Sequence, residues 1–360
     1  MAVDTETLAK LQEEPEKPIS DLEWMNLAGE WGVKAVPGRR GLTLEDISVG
    51  SYGEVADESR NHGFAARGVT RRPEAPRSRV AYQTAADVWS NNARLLYEEA
   101  VARQWSSATD IPWEEVQELP EELERAMCQY CTFLTEVEFI AGDVPGQWLP
   151  QISPEYYESK LFLASQIMDE ARHLDVFRKR LFVNGGGMLS QTPESGLSLL
   201  LNAKDFTEAS SMMHILAEGF VQSLFRMGEY LGPSEVDKKI FRMCAQDESR
   251  HLAFGVMHLK YVLEKSPERR EEIHSYLDNF EDVLAGPSPE ELTTGAVMTQ
   301  PQQEALVILF AGGRENLDEG YQKLMAANKR QVNEYMQRLE VAGLGDRRER
   351  MNPMMKAALN

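Results

Sequence analysis

Asp169-Glu170-Ala171-Arg172-His173 and Asp247-Glu248-Ser249-Arg250-His251 are one pentapeptide written twice, alike at four of five positions. Each copy sets Glu and His at i and i+3. On a helix those positions share a face, so both side chains can reach one centre. A single Glu-x-x-His in a Glu-rich chain is ordinarily a solvated helix face. Here the neighbours argue otherwise. Leu163, Ile167, Leu174, Phe177 and Leu181 lie on the face of the first motif, and Phe241, Cys244, Leu252 and Leu259 on that of the second. A Glu and a His on an apolar stripe are costly unless they are paired or bound to metal.

Each motif calls for a carboxylate on the helix before it. Glu218 shares a face with His214, Ile215, Val221 and Phe225, and the Gly232-Pro233 turn falls midway between Glu218 and Glu248. An antiparallel hairpin pivoting there brings both carboxylates to one height, about 22 Å from the turn at 1.5 Å per residue. Ser234, with Asp237 three residues on, resembles a capping box that starts the second arm. The other half should mirror this, with Glu138 as the carboxylate and Ser153-Pro154 as the pivot. Gly142 and Pro145 would normally end that helix early, so the mirror holds only if it continues, kinked, to about Trp148. Glu136 is the rival to Glu138. Glu138 is preferred because Cys131 and Leu134 share its face. The sum is four carboxylates and two imidazoles from four helices, a donor set that suits iron or manganese better than zinc.

The periodicity predicts helices over 86–106, 119–148, 154–183, 205–231, 234–264, 270–284, 300–311 and 314–342, with little strand-like alternation. Residues 1–80 read as an irregular arm with a short helix near Thr5–Leu11. Residues 81–345 read as the helical domain, and 346–360 as a loosely held tail. The formal charge of −20 argues against nucleic acid and anionic membranes as partners, because both reward clustered Lys and Arg. No apolar run reaches the roughly 20 residues of a membrane span, and the acidic N-terminus lacks a signal-peptide core. Three cysteines make no disulfide framework. Cys128 and Cys131 lack a second pair to complete a zinc site. A reducing cytoplasm is the expected location.

The ordered set Glu138, Glu170-x-x-His173, Glu218, Glu248-x-x-His251 resembles the ferritin-like non-haem di-iron carboxylate superfamily. The doubled Asp-Glu-x-Arg-His resembles bacterial multicomponent monooxygenases and related bundles, ribonucleotide reductase small subunits among them. The likeness covers roughly residues 86–264. It implies an all-α, ferritin-like four-helix bundle with additional flanking helices. It also implies two iron ions, with a mixed Mn/Fe pair as the variant. Glu138, Glu170 and His173 would surround one ion, Glu218, Glu248 and His251 the other, with Glu170 and Glu248 bridging. Asp247 would orient His173 and Asp169 would orient His251, crosswise, with Arg172 and Arg250 neutralising the aspartates. The activity implied is O2-dependent oxidation of a small organic substrate, by hydroxylation, N-oxygenation or a related reaction. An electron-donor reductase or ferredoxin and a homodimeric state are implied as well. The alternative is a ferritin-like ferroxidase or iron-handling protein, which the long flanking segments disfavour.

Departures narrow the subfamily. Phe177 stands where reductase subunits carry a radical Tyr. Gln222 stands where multicomponent monooxygenases carry a Thr, and Cys244 where arylamine N-oxygenases add a His. His214, one turn before Glu218, reads first as a core histidine and second as a further ligand. The substrate pocket is expected beside Cys131, Leu134, Phe177, Ile215, Phe225 and Cys244.

Overall fold

The structure is a computed structural model that describes residues 22, 25, 31–59, 64–70, 80–191, 197–285 and 298–359. The short helix expected near Thr5–Leu11 lies outside them. Helix α1 spans Ala93–Ala102, α2 Glu121–Trp148 and α3 Tyr157–Val183. The next rod, α4, is built of Phe206–Ser210, a π-helical stretch Ser211–Ala217 and Glu218–Leu231. Then come α5 Glu235–Lys265, α6 Arg270–Ala285, α7 Gln300–Ala311 and α8 Leu317–Ala342. No strand occurs among the described residues, only isolated bridges. The expected all-α bundle is what the chain forms. No helix of the described residues is long and apolar enough to cross a membrane.

Two hairpins carry the centre: α2 packs along α3 and α4 along α5, and α3 also touches α5. The pivots are the ones that the turn chemistry sets. Ser153 accepts a hydrogen bond from the Glu155 amide, with Pro154 opening a short 3-10 turn into α3. Ser234 Oγ accepts from the Asp237 amide at 3.1 Å and starts α5. Such caps satisfy donors that the first helical turn leaves unpaired. Helix α2 runs through Pro145 to Trp148. Proline removes one intrahelical bond, but Val144, Pro145 and Trp148 are buried, and that packing holds the helix past it.

The helix expected over 86–106 is broken instead. Ala85–Val88 ends at Trp89 and α1 begins at Ala93. Between them Ser90 Oγ bonds Asn92 Oδ1 at 2.6 Å and Asn92 Nδ2 bonds the Ala253 carbonyl at 2.9 Å. Short polar side chains that hydrogen-bond locally compete with helix, and here they win. The tail is also better held than expected. Buried Arg347 pairs with both Glu281 oxygens, and the Asn352 amide donates to Glu281 Oε2 at 2.8 Å. Met351 and Met355 are buried behind it.

Two helices meet tightly at Gly255. A Cβ there would lie 2.3 Å from His214 Cβ, so α5 passes the π-helical stretch at backbone distance. Gly255→Ala is expected to destabilise the protein by about 1–3 kcal/mol through overpacking. Urea unfolding reads this as a lower midpoint at unchanged slope. An unshifted midpoint would show that the helices have room to part.

Candidate metal centre

All six acidic and imidazole side chains singled out in the sequence converge in the bundle core. Glu138, Glu170, Glu218 and Glu248 are at most 4% exposed, and His173 and His251 are fully buried. Two overlapping groups result. Glu138, Glu170, His173 and Glu248 offer ligand atoms within 4.8 Å of one another, and so do Glu170, Glu218, Glu248 and His251. Glu170 and Glu248 belong to both. Glu136 is half-buried on the neighbouring face of α2 and lies outside both groups.

Each imidazole turns Nδ1 inward. His173 Nδ1 lies 3.2 Å from Glu170 and 3.3 Å from Glu248; His251 Nδ1 lies 3.1 Å from Glu170 and 3.2 Å from Glu248. The outer nitrogens reach across the bundle. His173 Nε2 sits 3.2 Å from Asp247 Oδ2, and His251 Nε2 sits 3.4 Å from Asp169 Oδ2. An ionised aspartate accepts only, so each Nε2 carries a proton, and with a metal ion bound each Nδ1 would present its lone pair to the interior. Arg250 bridges the two aspartates, at 2.7 Å to each, and Arg172 bridges them as well. The two pentapeptides thereby close into one buried ring of alternating charge.

Electrostatics show what the cluster lacks. Burial pushes the Glu138 and Glu218 carboxyls well above the usual range, and the neighbouring carboxylates push the same way. Burial would also raise Glu170, but the two histidines outweigh it and hold Glu170 low. Burial would lower both histidines, but the surrounding acidic groups hold them well above their ordinary value. Protons are standing in for positive charge. Glu138 Oε1 and Glu218 Oε2 are buried with no hydrogen-bond partner, a condition that costs about 1–3 kcal/mol each when nothing else binds there. Four carboxylates, two neutral imidazoles and orphaned inward oxygens fit a pair of divalent cations, which balance the charge and occupy those oxygens. The cluster is suited to a dinuclear metal site.

Several contributors were not legible as motifs. Trp105, just beyond α1, donates from Nε1 to Asp247 Oδ2 at 2.8 Å, and the Arg172 guanidinium lies 4.9 Å from its ring centroid. Gln166 donates to Glu218 Oε1 at 2.7 Å. Both are lone polar residues without a repeat to flag them, although Gln166 sits on the apolar face one turn before Glu170. His214 bonds Ser210 and Gln166 and stays out of both ligand groups. Burial drives its pKa down to about 3, so it is neutral.

The pocket lies on a different face from the one expected. Cys131, Leu134, Phe177, Ile215, Phe225 and Cys244 are buried core, and none lines the large cavity of the described residues. Phe177, Phe225 and Phe241 pack ring against ring and seal that side. The cavity, about 740 Å³, opens on the adjacent faces of α2 and α4, along Phe133, Val137, Ala141, Met213, Val221 and Leu224. Its inner end is Glu138, Glu218 and Glu248. Its outer walls are Leu306 of α7, Leu324 and Val332 of α8, and Met354 and Met355 of the tail. The sequence pattern marked the stripe facing the carboxylate and imidazole cluster but could not show that the C-terminal helices stand off from the face beside it.

No protein-family model and no curated protein matches the chain. Among solved structures it is similar to variants of an R2-like ligand-binding oxidase. A valine-to-leucine variant with aerobically reconstituted Mn/Fe cofactor is 16% identical, over 76% of this chain and 94% of that one, at a TM-score of 0.46. A glycine-to-leucine variant with aerobically reconstituted Fe/Fe cofactor is 16% identical over the same shares, at 0.45. A glycine-to-phenylalanine variant with anaerobically reconstituted Mn/Fe cofactor is 20% identical over 53% of this chain and 82% of that one, at 0.44.

Proposed function

We propose that the chain is an O2-dependent oxidase or oxygenase of an apolar organic substrate. Its two ions, iron with iron or manganese with iron, are held by Glu138, Glu170, His173, Glu218, Glu248 and His251. The observation that carries this reading is the continuity of two features. Two ligand groups share Glu170 and Glu248, and three of their carboxylates form the inner end of a large apolar cavity. Storage of iron has no use for such a chamber, whereas a substrate-oxidising centre needs one; pockets of about 300–1,000 Å³ are typical for organic ligands.

Two redox-active ions in that cluster supply electrons and open positions for O2. The rest is done by the chain. Asp169 and Asp247 hold the imidazole tautomers. Arg172 and Arg250 keep those aspartates ionised by adjacent positive charge. The phenylalanine wall keeps water from the face beside the cavity. Electrons beyond those stored in the ions come from an external reductase or ferredoxin.

Anaerobic loading with Fe(II), followed by mixing with O2 under optical and Mössbauer detection, tests the reading. The expected result is two irons per chain and an O2-dependent conversion to a magnetically coupled ferric pair. Loading of fewer than two irons, or a pair inert to O2, would overturn it. A Val221→Trp variant should keep the iron stoichiometry while losing substrate turnover, because the new indole fills the cavity beside Glu218.

A further inference from the structure

The doubling of the centre is broken at one place. Counting back one turn from Glu170 gives Gln166; counting back one turn from Glu248 gives Cys244. Both are fully buried, and each lies on the side of the carboxylate contributed by the other hairpin, Glu218 for Gln166 and Glu138 for Cys244. They do different things. Gln166 Nε2 donates to Glu218 Oε1 at 2.7 Å. Cys244 makes no hydrogen bond among the described residues, and Glu138 Oε1, on its side of the cluster, has no partner.

The Gln166 amide cannot turn over, for chemical reasons that run back along α4. Its Oε1 faces His214 Nε2 at 3.1 Å, and His214 Nδ1 faces Ser210 Oγ at 2.8 Å. As a metal ligand Glu218 is ionised and its oxygens only accept, so Gln166 presents its NH2 to Glu218 and its oxygen to His214. His214 must then carry its proton on Nε2, which leaves Nδ1 to accept from the Ser210 hydroxyl. Every donor in the row points toward Glu218: Ser210 to His214, His214 to Gln166, Gln166 to Glu218. An amide in the middle of the row passes no proton, so the row serves to orient. The π-helical stretch Ser211–Ala217 lies between Ser210 and Glu218 and carries His214. Gly255 lets that stretch come close enough for His214 to sit there, with a virtual Cβ only 2.3 Å from His214 Cβ.

We infer that Gln166, fixed by His214 and Ser210, is a positioning residue that pins Glu218 and makes the two metal positions inequivalent. The Glu218/His251 position is preorganised and fills first. The Glu138/His173 position has the carboxylate without such a donor, so it fills second. This inference rests on the ligand reading given above.

Anaerobic titration with Mn(II), followed by electron paramagnetic resonance, tests it without turnover. An isolated Mn(II) gives a six-line spectrum and a neighbouring pair gives a coupled one, so filling order is read directly. The wild-type protein should bind its first ion as an isolated Mn(II), with the two stepwise affinities about 10-fold or more apart, the size of effect that a partner of a ligand has on metal binding. Gln166→Met removes the donated bond at similar length. It should weaken the first step about 10-fold and bring the coupled signal in earlier. His214→Leu keeps Gln166 but frees its amide, and should move the titration the same way by a smaller factor. It carries the test if Gln166→Met does not fold, as judged by circular dichroism of the metal-free protein. Two Mn(II) bound by either variant with wild-type spacing would overturn the role of Gln166 while leaving the ligand set intact. A wild-type protein that takes up no Mn(II) pair would overturn the ligand set and this inference together.

Discussion

Glu248→Ala is expected to reduce metal-dependent O2 consumption to the level of protein without metal. Glu248 belongs to both ligand groups, so its removal takes a donor from each position at once and deprives the pair of one of its two shared carboxylates. His173→Ala should do the same through one position, because His173 Nδ1 is the only imidazole nitrogen in the Glu138 group. Helix content should survive both changes. In metal-free protein the buried acidic groups are balanced only by protons, so deleting one removes a group that burial disfavours and does not unpair a helix. Oxygen electrode measurements on Fe(II)-loaded protein, beside far-ultraviolet circular dichroism, decide the matter. If O2 consumption persists in both variants with folded protein, the ligand assignment is wrong.

Metal should also remove the pH dependence of stability that the cluster shows without it. In the metal-free protein His173 and His251 have folded pKa values well above the ordinary one. Their contribution is full below the unfolded value near 6.5 and is lost as pH rises toward the folded values. Glu138 and Glu218 are likewise raised, and their contribution is present at acid pH and lost above about 4.3. Glu170, Asp169 and Asp247 are held low, so theirs is present above about 4 and lost as pH falls. Between about pH 6.5 and 8.5 only the raised groups are still losing ground, at up to about 1.4 kcal/mol per pH unit for each. Chelator-treated protein should therefore have a lower urea midpoint at pH 8.5 than at 6.5. Mn(II) or Fe(II) should abolish that slope, because the ions replace the protons. Calorimetry in buffers of different ionisation enthalpy should show protons released on loading. Equal stability of the metal-free protein at the two pH values would sink this account of the cluster.

The metal-facing half of the structure was legible because it is repetitive and helical. A doubled pentapeptide, two pivots and equal arm lengths constrain four helices, and the hairpin through Gly232-Pro233 needed nothing else. Glu138 was harder to read, since Pro145 argues locally for a helix end and only burial around Val144 and Trp148 carries α2 onward. The π-helical stretch could not be read at all. It is a change in hydrogen-bond partner, which leaves no mark on apolar periodicity. Gln166 and Trp105 each act through a single contact, and a single polar residue has no pattern. The pocket was placed on the wrong face because walls supplied by residues a hundred positions away do not register in the stripe of the helix they cover.

Those distant walls give the chain a division of labour. Every proposed ligand comes from α2 to α5, whereas the outer cavity comes from α7, α8 and the tail that Glu281 anchors. On this reading, what the protein does to a molecule and which molecule it admits are encoded in separate stretches of the gene. Diversifying the C-terminal third alone should then yield enzymes that keep one chemistry and differ in what they accept.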